Sequence, residues 1–336
     1  MEVLFVGKEW KFKKALKEEV LKIIDYNSIK YIDTFDIEFQ PSQETLIVTN
    51  KKTYPLAARI LANLTNQQLV VKDDFLIPEF AKYAKNSFYL DYYYPVNVIL
   101  LEDKVPEIFI ITPEYERINV FKFDKDTALM FLEPIFNAHK LNYTVLENEG
   151  GFVEIVTESL EDIIKKEILN VIPTVVFGNI FEHIVNNLPP KKITFAESCT
   201  GGLIASNLTK ISGSSGCFDG SVVTYANRIK HEWLGVEEIT LEKYGAVSEQ
   251  TVKEMLLGAI EISKADYALA VSGIAGPTGG TPQKPVGTVY IGVADRKSLK
   301  VELHHFKGER NYIQYQAMMN AIRMFIDFSS LYSKIS

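Results

Sequence analysis

Cysteine is scarce in this 336-residue chain, with Cys199 and Cys217 its only two. Two thiols make neither a disulfide framework nor a zinc-ligand set. Histidine is scarce too. None of His139, His183, His231, His304 and His305 has acidic or cysteine neighbours at metal-ligand spacing, so neither a metal nor a cofactor is expected. No apolar run approaches the roughly 18 residues that span a bilayer. The first apolar run is too short for a signal peptide and is followed by charge. These absences predict a cytoplasmic protein with no membrane partner and reduced thiols. A basic excess is missing as well. Lys and Arg number 36 against 43 Asp and Glu, a formal net charge of -7. Proteins that wrap nucleic acid are usually basic, so no nucleic-acid partner is expected. A small anionic ligand stays open, because backbone dipoles bind one inside an acidic protein.

What is present is an ordinary globular balance, 47% apolar and 24% charged. The length suits two domains, each able to bury a core. No internal repeat or low-complexity tract occurs. We expect a divergent α/β region over 1–165, open to a further split into 1–85 and 86–165, and a second domain over 166–336. Strands are expected at Val3–Val6, Leu46–Val48, Tyr89–Tyr94, Val96–Leu101, Ile108–Ile111 and Val120–Phe123. Helices are expected over 9–25, from the spacing of Phe12, Leu16, Val20, Ile23 and Ile24, and over Pro55–Leu64. Residues 125–170 read as helix, strand, strand, helix. The run Tyr92-Tyr93-Tyr94 invites a base-stacking reading. Its neighbours Asp91 and Pro95, with no basic residues interleaved, favour aromatic strand residues packed on a core.

The second half gives sharper signals. A helix over 178–187 precedes strands at Ile193–Ala196, Ser221–Tyr225, Tyr267–Val271, Val286–Ala294 and Val301–Phe306, and a helix over Leu203–Lys210 follows the first of these. Ser248 reads as an N-cap, with Val252, Met255, Leu256 and Ala259 as the buried stripe of its helix. The last helix, about 309–328, is expected to place Tyr312, Tyr315, Met319, Ile322 and Ile326 on one face. Strands alternating with helices imply an α/β fold, a three-layer C-terminal domain with helices on both sides of the sheet. The final two strands suggest a hairpin, hence a mixed sheet. The N-terminal region is the smaller α/β or α+β part.

Four stretches carry polar chemistry at element ends. The first is Glu197-Ser198-Cys199-Thr200-Gly201-Gly202, between a buried strand and a helix. A helix start offers unpaired N–H groups, and a hydroxyl there can act as a nucleophile. A capped turn explains the same residues equally well. The second is the loop from Gly273 to Thr288, rich in glycine and proline. It is neither a Walker loop nor a dinucleotide fingerprint, and a ligand-lining loop and a structural one stand level. The third is Gly213-Ser214-Ser215-Gly216 with the block Val222–Lys230, where Tyr225 and Asn227 fall at a strand end and Lys230 follows in the next helix. By itself Lys230 reads as a surface charge. The fourth is Lys307-Gly308-Glu309-Arg310, whose arginine suits a carboxylate or phosphate but also reads as plain surface.

In this order the blocks AESCTGG, GSSGCF, VVTYANRIK, LGV, YGAVSE, SGIAGPTGG, KPVGTVYIGVA and KGER resemble the C-terminal domain of the CinA family, over about 165–330. The resemblance implies an α/β domain with a mixed sheet. It implies hydrolysis of the carboxamide of nicotinamide mononucleotide to nicotinate mononucleotide and ammonia, a small pyridine nucleotide as partner, and a homodimer. Carried onto this chain, it makes Ser198 the nucleophile candidate and Lys230 the base, with Tyr225 as a further catalytic candidate. A Ser–Lys pair is a variant of the triad logic and needs a desolvated lysine. Thr200, Gly201, Gly202, Ser272, Gly273 and Gly276 would hold substrate or oxyanion. Ser215, Asn227 and Arg310 are further substrate-binding candidates, Ser215 and Arg310 for the phosphate. The N-terminal half departs from the family, whose full-length members carry a molybdopterin-binding-like domain linked to nucleotide pyrophosphatase activity. Its glycine-rich motifs are not found, and 125–170, the counterpart of the family's small KH-like segment, has no GxxG clamp. Three functions therefore compete: the deamidase, a non-catalytic nucleotide-binding or regulatory protein, and an ADP-ribose-type pyrophosphatase in the first half. Cys199 is the rival nucleophile.

Overall fold

Strand and helix alternate from the first residues, and two units follow, Met1–Glu114 and Tyr115–Ser336. The computed structural model describes residues 1–35, 39–110, 115–146, 150–158 and 160–334. In the N-terminal unit the chain runs through β1 (Glu2–Val6), α1 (Lys14–Leu21), β2 (Ser28–Ile32), β3 (Thr45–Thr49), α2 (Tyr54–Leu64), β4 (Leu69–Lys72), β5 (Phe75–Pro78), β6 (Lys82–Ala84), β7 (Ser87–Leu90) and β8 (Val96–Leu100). The main sheet has the order β2-β1-β3-β8-β7-β6; β4 and β5 form a separate hairpin. The first four strands are parallel and the last two antiparallel. Strand alternation sends Leu4, Val6 and Ile47 to the α2 side and Val3, Phe5, Leu46 and Val48 to the opposite core. The chain leaves β1 to one side for β2 and returns to the other for β3. That reversal opens a cleft of about 620 Å³ at the strands' carboxyl ends, lined by residues including Gly7, Asp33, Asn50, Lys52 and Glu102.

Three expectations for this unit are corrected. The helix over 9–25 shrinks to α1, because residues 8–11 take a 3-10 turn and Phe12 and Ile23 are exposed rather than on a buried stripe. The tyrosine run is not strand core. Leu90 pairs with Val96, so residues 91–95 form the loop between β7 and β8, and Tyr93 is 91% exposed. Residues 108–110 form no strand, and Ile111 lies outside the described residues.

The second unit begins with β9 (Tyr115–Val120), α3 (Lys125–Ala138), β10 (Tyr143–Leu146), β11 (Val153–Glu158), α4 (Asp162–Val171) and β12 (Val175–Phe177). The strands form an antiparallel sheet, β10-β11-β9-β12. Leu132 and Phe136 of α3 and Ile164 and Ile168 of α4 pack with Ile118, Ile155 and Val175. The helix–strand–strand–helix reading of 125–170 holds, whereas the strand expected at Val120–Phe123 ends at Val120. The unit boundary also differs from the expected 165/166. Because β9 pairs with β12, the sheet closes across residue 165. The optional split at 85/86 falls within the β6–β7 hairpin, where Ala84 pairs with Ser87.

Beyond it come α5 (Ile180–Asn187), β13 (Ile193–Glu197), α6 (Leu203–Thr209), β14 (Val222–Val223), α7 (Asn227–Leu234), α8 (Glu238–Tyr244), α9 (Glu249–Ser263), β15 (Tyr267–Gly273), β16 (Thr288–Asp295), β17 (Leu299–His305) and α10 (Arg310–Ser329). The sheet order is β14-β13-β15-β16-β17. Parallel pairing joins β14, β13 and β15; β16 and β17 follow antiparallel, giving the expected mixed sheet. Its two faces differ in side-chain size. Phe195, Leu269, Val271, Ile291 and Val293 share a core with α5, α6 and α10. Ala196, Ala268, Ala270 and Ala294 face α7 and α9. Each of the large side chains contributes about 1.5–3 kcal/mol on burial. The small face lets α9 lie close, and a Cβ on Gly292 would come within 2.7 Å of Leu256 Cδ1. Ser248 caps α9 by accepting from the Thr251 N–H at 3.2 Å. Along α10 the buried stripe is Ile313, Ala317, Ile322, Phe325 and Ile326, while Tyr312 and Tyr315, expected on the same face as Ile322 and Ile326, are exposed.

Candidate active site

The end of β13 decides the site. In this sheet the chain passes from β13 to β14 on one side and to β15 on the other, so a crevice opens at the carboxyl ends of β13 and β15. Ser198 directly follows β13, and its N–H donates to Val271 O of β15 at 2.9 Å. Ser272 and Gly273 end β15 on the same edge. Lys230 reaches the crevice from α7. Only 1% exposed, it donates from Nζ to Ser198 Oγ at 3.0 Å, Thr224 O at 2.7 Å and Tyr225 O at 3.2 Å. Among the described residues its ammonium has no carboxylate partner within ion-pair distance. Burial without a counter-charge penalises the charged form and pulls its pKa from 10.5 down to about 8. Cys199 moves the other way. Burial pushes its thiol from 9.0 up to about 12, although Lys230 and Arg310 pull against that shift.

The crevice encloses about 290 Å³ and is lined by Ser198, Tyr225, Lys230, Ser272, Gly273, Gly276 and Arg310, among others. Arg310, first residue of α10, donates from Nη1 to Gly276 O and from Nη2 to Tyr225 Oη, each at 2.8 Å. It therefore ties the glycine-rich loop to the tyrosine. The Ser272 hydroxyl donates to Ala246 O at 2.7 Å, so its proton is already committed. Gly276 has φ 79°, and a Cβ there would meet Val286 Cγ1 at 2.6 Å. The loop needs glycine at that position for both reasons.

Other candidates lie elsewhere. Ser215 and Asn227 are exposed and do not line the crevice. Thr200, Gly201 and Gly202 also lie outside its lining. The Thr200 hydroxyl is buried without a hydrogen-bond partner among the described residues. Nothing among the described residues lies within 4 Å of a Cβ built on Gly201, and its φ of 63° already favours glycine there.

The helix N–H groups expected to be free are occupied. Glu197, fully buried, accepts from Gly202 N at 3.1 Å, Ile204 N at 3.1 Å and Ala205 N at 3.0 Å. The sequence gives Glu197 no role, because these amides lie five to eight residues ahead of it and only the turn brings them to its carboxylate. Three more residues were missed. Gln314 donates to Cys199 O at 2.6 Å. Lys284 donates to Tyr244 O at 2.8 Å and Val247 O at 2.6 Å, fastening the loop to the crevice wall. Thr224 supplies a carbonyl to Lys230. Among the described residues no group of three or more His, Cys, Asp or Glu is placed to hold a metal ion.

The sequence of this domain has known relatives. Residues 180–329 match the CinA C-terminal domain family. The nicotinamide-nucleotide amidohydrolase PncC of Enterobacter agglomerans is 52% identical over 139 residues, covering 40% of this chain and 85% of that protein. A CinA-like protein of Thermosipho melanesiensis is 38% identical over 223 residues, which is 66% of this chain and 53% of that one. The second match is longer than the family's 150-residue span here (329 − 180 + 1), so it takes in residues beyond that span. The crystal structure of the competence/damage inducible protein CihA from Agrobacterium tumefaciens is 40% identical, with a TM-score of 0.44 over 45% of this chain and 93% of that one. Through its C-terminal domain, with Ser198 and Lys230 at the carboxyl edge of the sheet, this chain belongs to the CinA family.

Proposed function

We propose that the C-terminal domain hydrolyses the carboxamide of nicotinamide mononucleotide, giving nicotinate mononucleotide and ammonia. The observation that carries this reading is the buried, counter-ion-free Lys230 with its Nζ 3.0 Å from Ser198 Oγ in an open crevice. A lysine with a pKa of about 8 is neutral in about one molecule in ten at pH 7, enough to serve as a base. Neutral Lys230 takes the Ser198 proton while Oγ attacks the amide carbon. The carbonyl oxygen becomes an oxyanion, which the backbone amide of the crevice-lining Cys199 is proposed to receive. Lys230 then hands its proton to the departing nitrogen, ammonia leaves, and an ester remains on Ser198. Water, deprotonated by Lys230, cleaves the ester, and Ser198 regains its proton. Arg310, anchored by two of its donors, has others for the substrate's phosphate.

The name of the Enterobacter relative supports the substrate class. Both cysteines are free, which fits a reaction in the cytoplasm. No helix is long and apolar enough to cross a membrane among the described residues. A homodimer is the assembly we expect, and sedimentation of the purified chain tests it. The function itself is tested by ammonia release across several nucleotides and simple amides. Release from nicotinamide mononucleotide and not from the others supports it. Melting-point shifts with pyridine nucleotides but no product would replace it with a non-catalytic binding role.

A further inference from the structure

We propose that Glu197 is a positioning residue that holds both the nucleophile and its base. The proposal rests on the Ser–Lys reading given above. Glu197 is the last residue of β13 and is 0% exposed. Burying a carboxylate is costly unless its oxygens are satisfied. Here one oxygen accepts from Gly202 N and Ile204 N and the other from Ala205 N, all within 3.1 Å. The side chain thus spans the turn that contains Ser198 and clamps it to the start of α6. The backbone of the same residue serves the base. Glu197 O accepts from Thr224 N at 2.8 Å, and Thr224 O in turn accepts from Lys230 Nζ at 2.7 Å. One residue therefore fixes the approach of Oγ from one side and of Nζ from the other.

The substitution E197Q keeps the shape but turns one accepting oxygen into a donor, which leaves at least one of three buried N–H groups facing another donor. We expect kcat for amide hydrolysis to fall about 10- to 100-fold, since small misplacements of a nucleophile cost that much. KM should stay within about twofold and the pH midpoint of the Lys230 limb should not move, because neither the Arg310 contacts nor the burial of Lys230 changes. A merely structural role would instead change KM and kcat together. A serine-directed organophosphonate separates this inference from the substrate assignment. It should label Ser198 in the wild type and label E197Q about tenfold more slowly, whatever the amide substrate. Labelling without ammonia release would sink the deamidase reading and leave Glu197 standing. Wild-type protein that neither labels nor turns over would remove both. Where E197Q does not fold, hydrogen exchange on the wild type decides. The amides of Gly202, Ile204 and Ala205 should exchange as slowly as those of β13, although they open a short helix. Fast exchange there, or E197Q with unchanged kcat and labelling rate, overturns the proposal.

Discussion

The two units solve the same topological problem and end with different chemistry. Each reverses strand order beside a central parallel strand, β1 in one and β13 in the other, and each opens a cleft at the carboxyl edge. In the N-terminal cleft the acidic side chains are each engaged by a neighbour. Asp33 meets Lys8 and Lys11, Glu102 meets Lys51, and Glu9 meets the Asn50 amide. The Thr53 hydroxyl donates to Val6 O at 3.0 Å. The Asp33 pairs with Lys8 and Lys11 lie at the surface, and such pairs contribute little. In the C-terminal cleft a lysine is buried against a serine hydroxyl and two carbonyls. The fold supplies a place for chemistry, and we propose that the buried lysine beside a hydroxyl supplies the chemistry itself.

Ways to break that comparison run from large effects to small. Lys230→Met should lower kcat by about 1000-fold, because the proton acceptor is gone. The same change should raise the melting temperature by about 2–4 °C, since a desolvated ammonium no longer has to be accommodated. Calorimetry showing a lower melting temperature would mean that Lys230 is structural. The pH profile comes next. Only neutral Lys230 accepts a proton, so kcat/KM should rise with pH through a midpoint near about 8 and fall about tenfold per unit below it. A profile flat between pH 6 and 9 would contradict this. Arg310→Met should raise KM about tenfold, the usual worth of a charge-assisted hydrogen bond, with a smaller change in kcat. The smallest effect belongs to the other cleft. Asp33→Asn and Asn50→Ala should leave ammonia release within about twofold of wild type, as surface substitutions do. A larger loss would tie the N-terminal cleft to the reaction.

Much of the fold was legible where periodicity and packing agree. The stripe Val252, Met255, Leu256 and Ala259 is buried as read, and the run Tyr267–Val271 is a central strand. Reading failed where apolar residues were not buried. Phe12, Tyr93, Tyr312 and Tyr315 carry the right chemistry for a core, but turns and helix rotation send them to solvent. At the site, sequence blocks brought Ser198, Lys230, Tyr225, Ser272, Gly276 and Arg310 together, and the structure lines one crevice with them. By contrast Ser215 and Asn227 share those blocks and lie outside it. The role of Glu197 was hidden because it depends on three amides up to eight residues ahead, a relation set by the turn's geometry and not by spacing alone. The buried state of Lys230 was likewise invisible, since a lysine at a helix start looks like surface.

The most direct test of the central claim compares Ser198→Ala with Cys199→Ala in ammonia release from nicotinamide mononucleotide. Ser198→Ala should show no turnover above buffer. Cys199→Ala should stay within about threefold of wild type, because a thiol held at about 12 supplies almost no thiolate at neutral pH. Turnover by Ser198→Ala together with a silent Cys199→Ala would move the nucleophile to the cysteine and contradict the account.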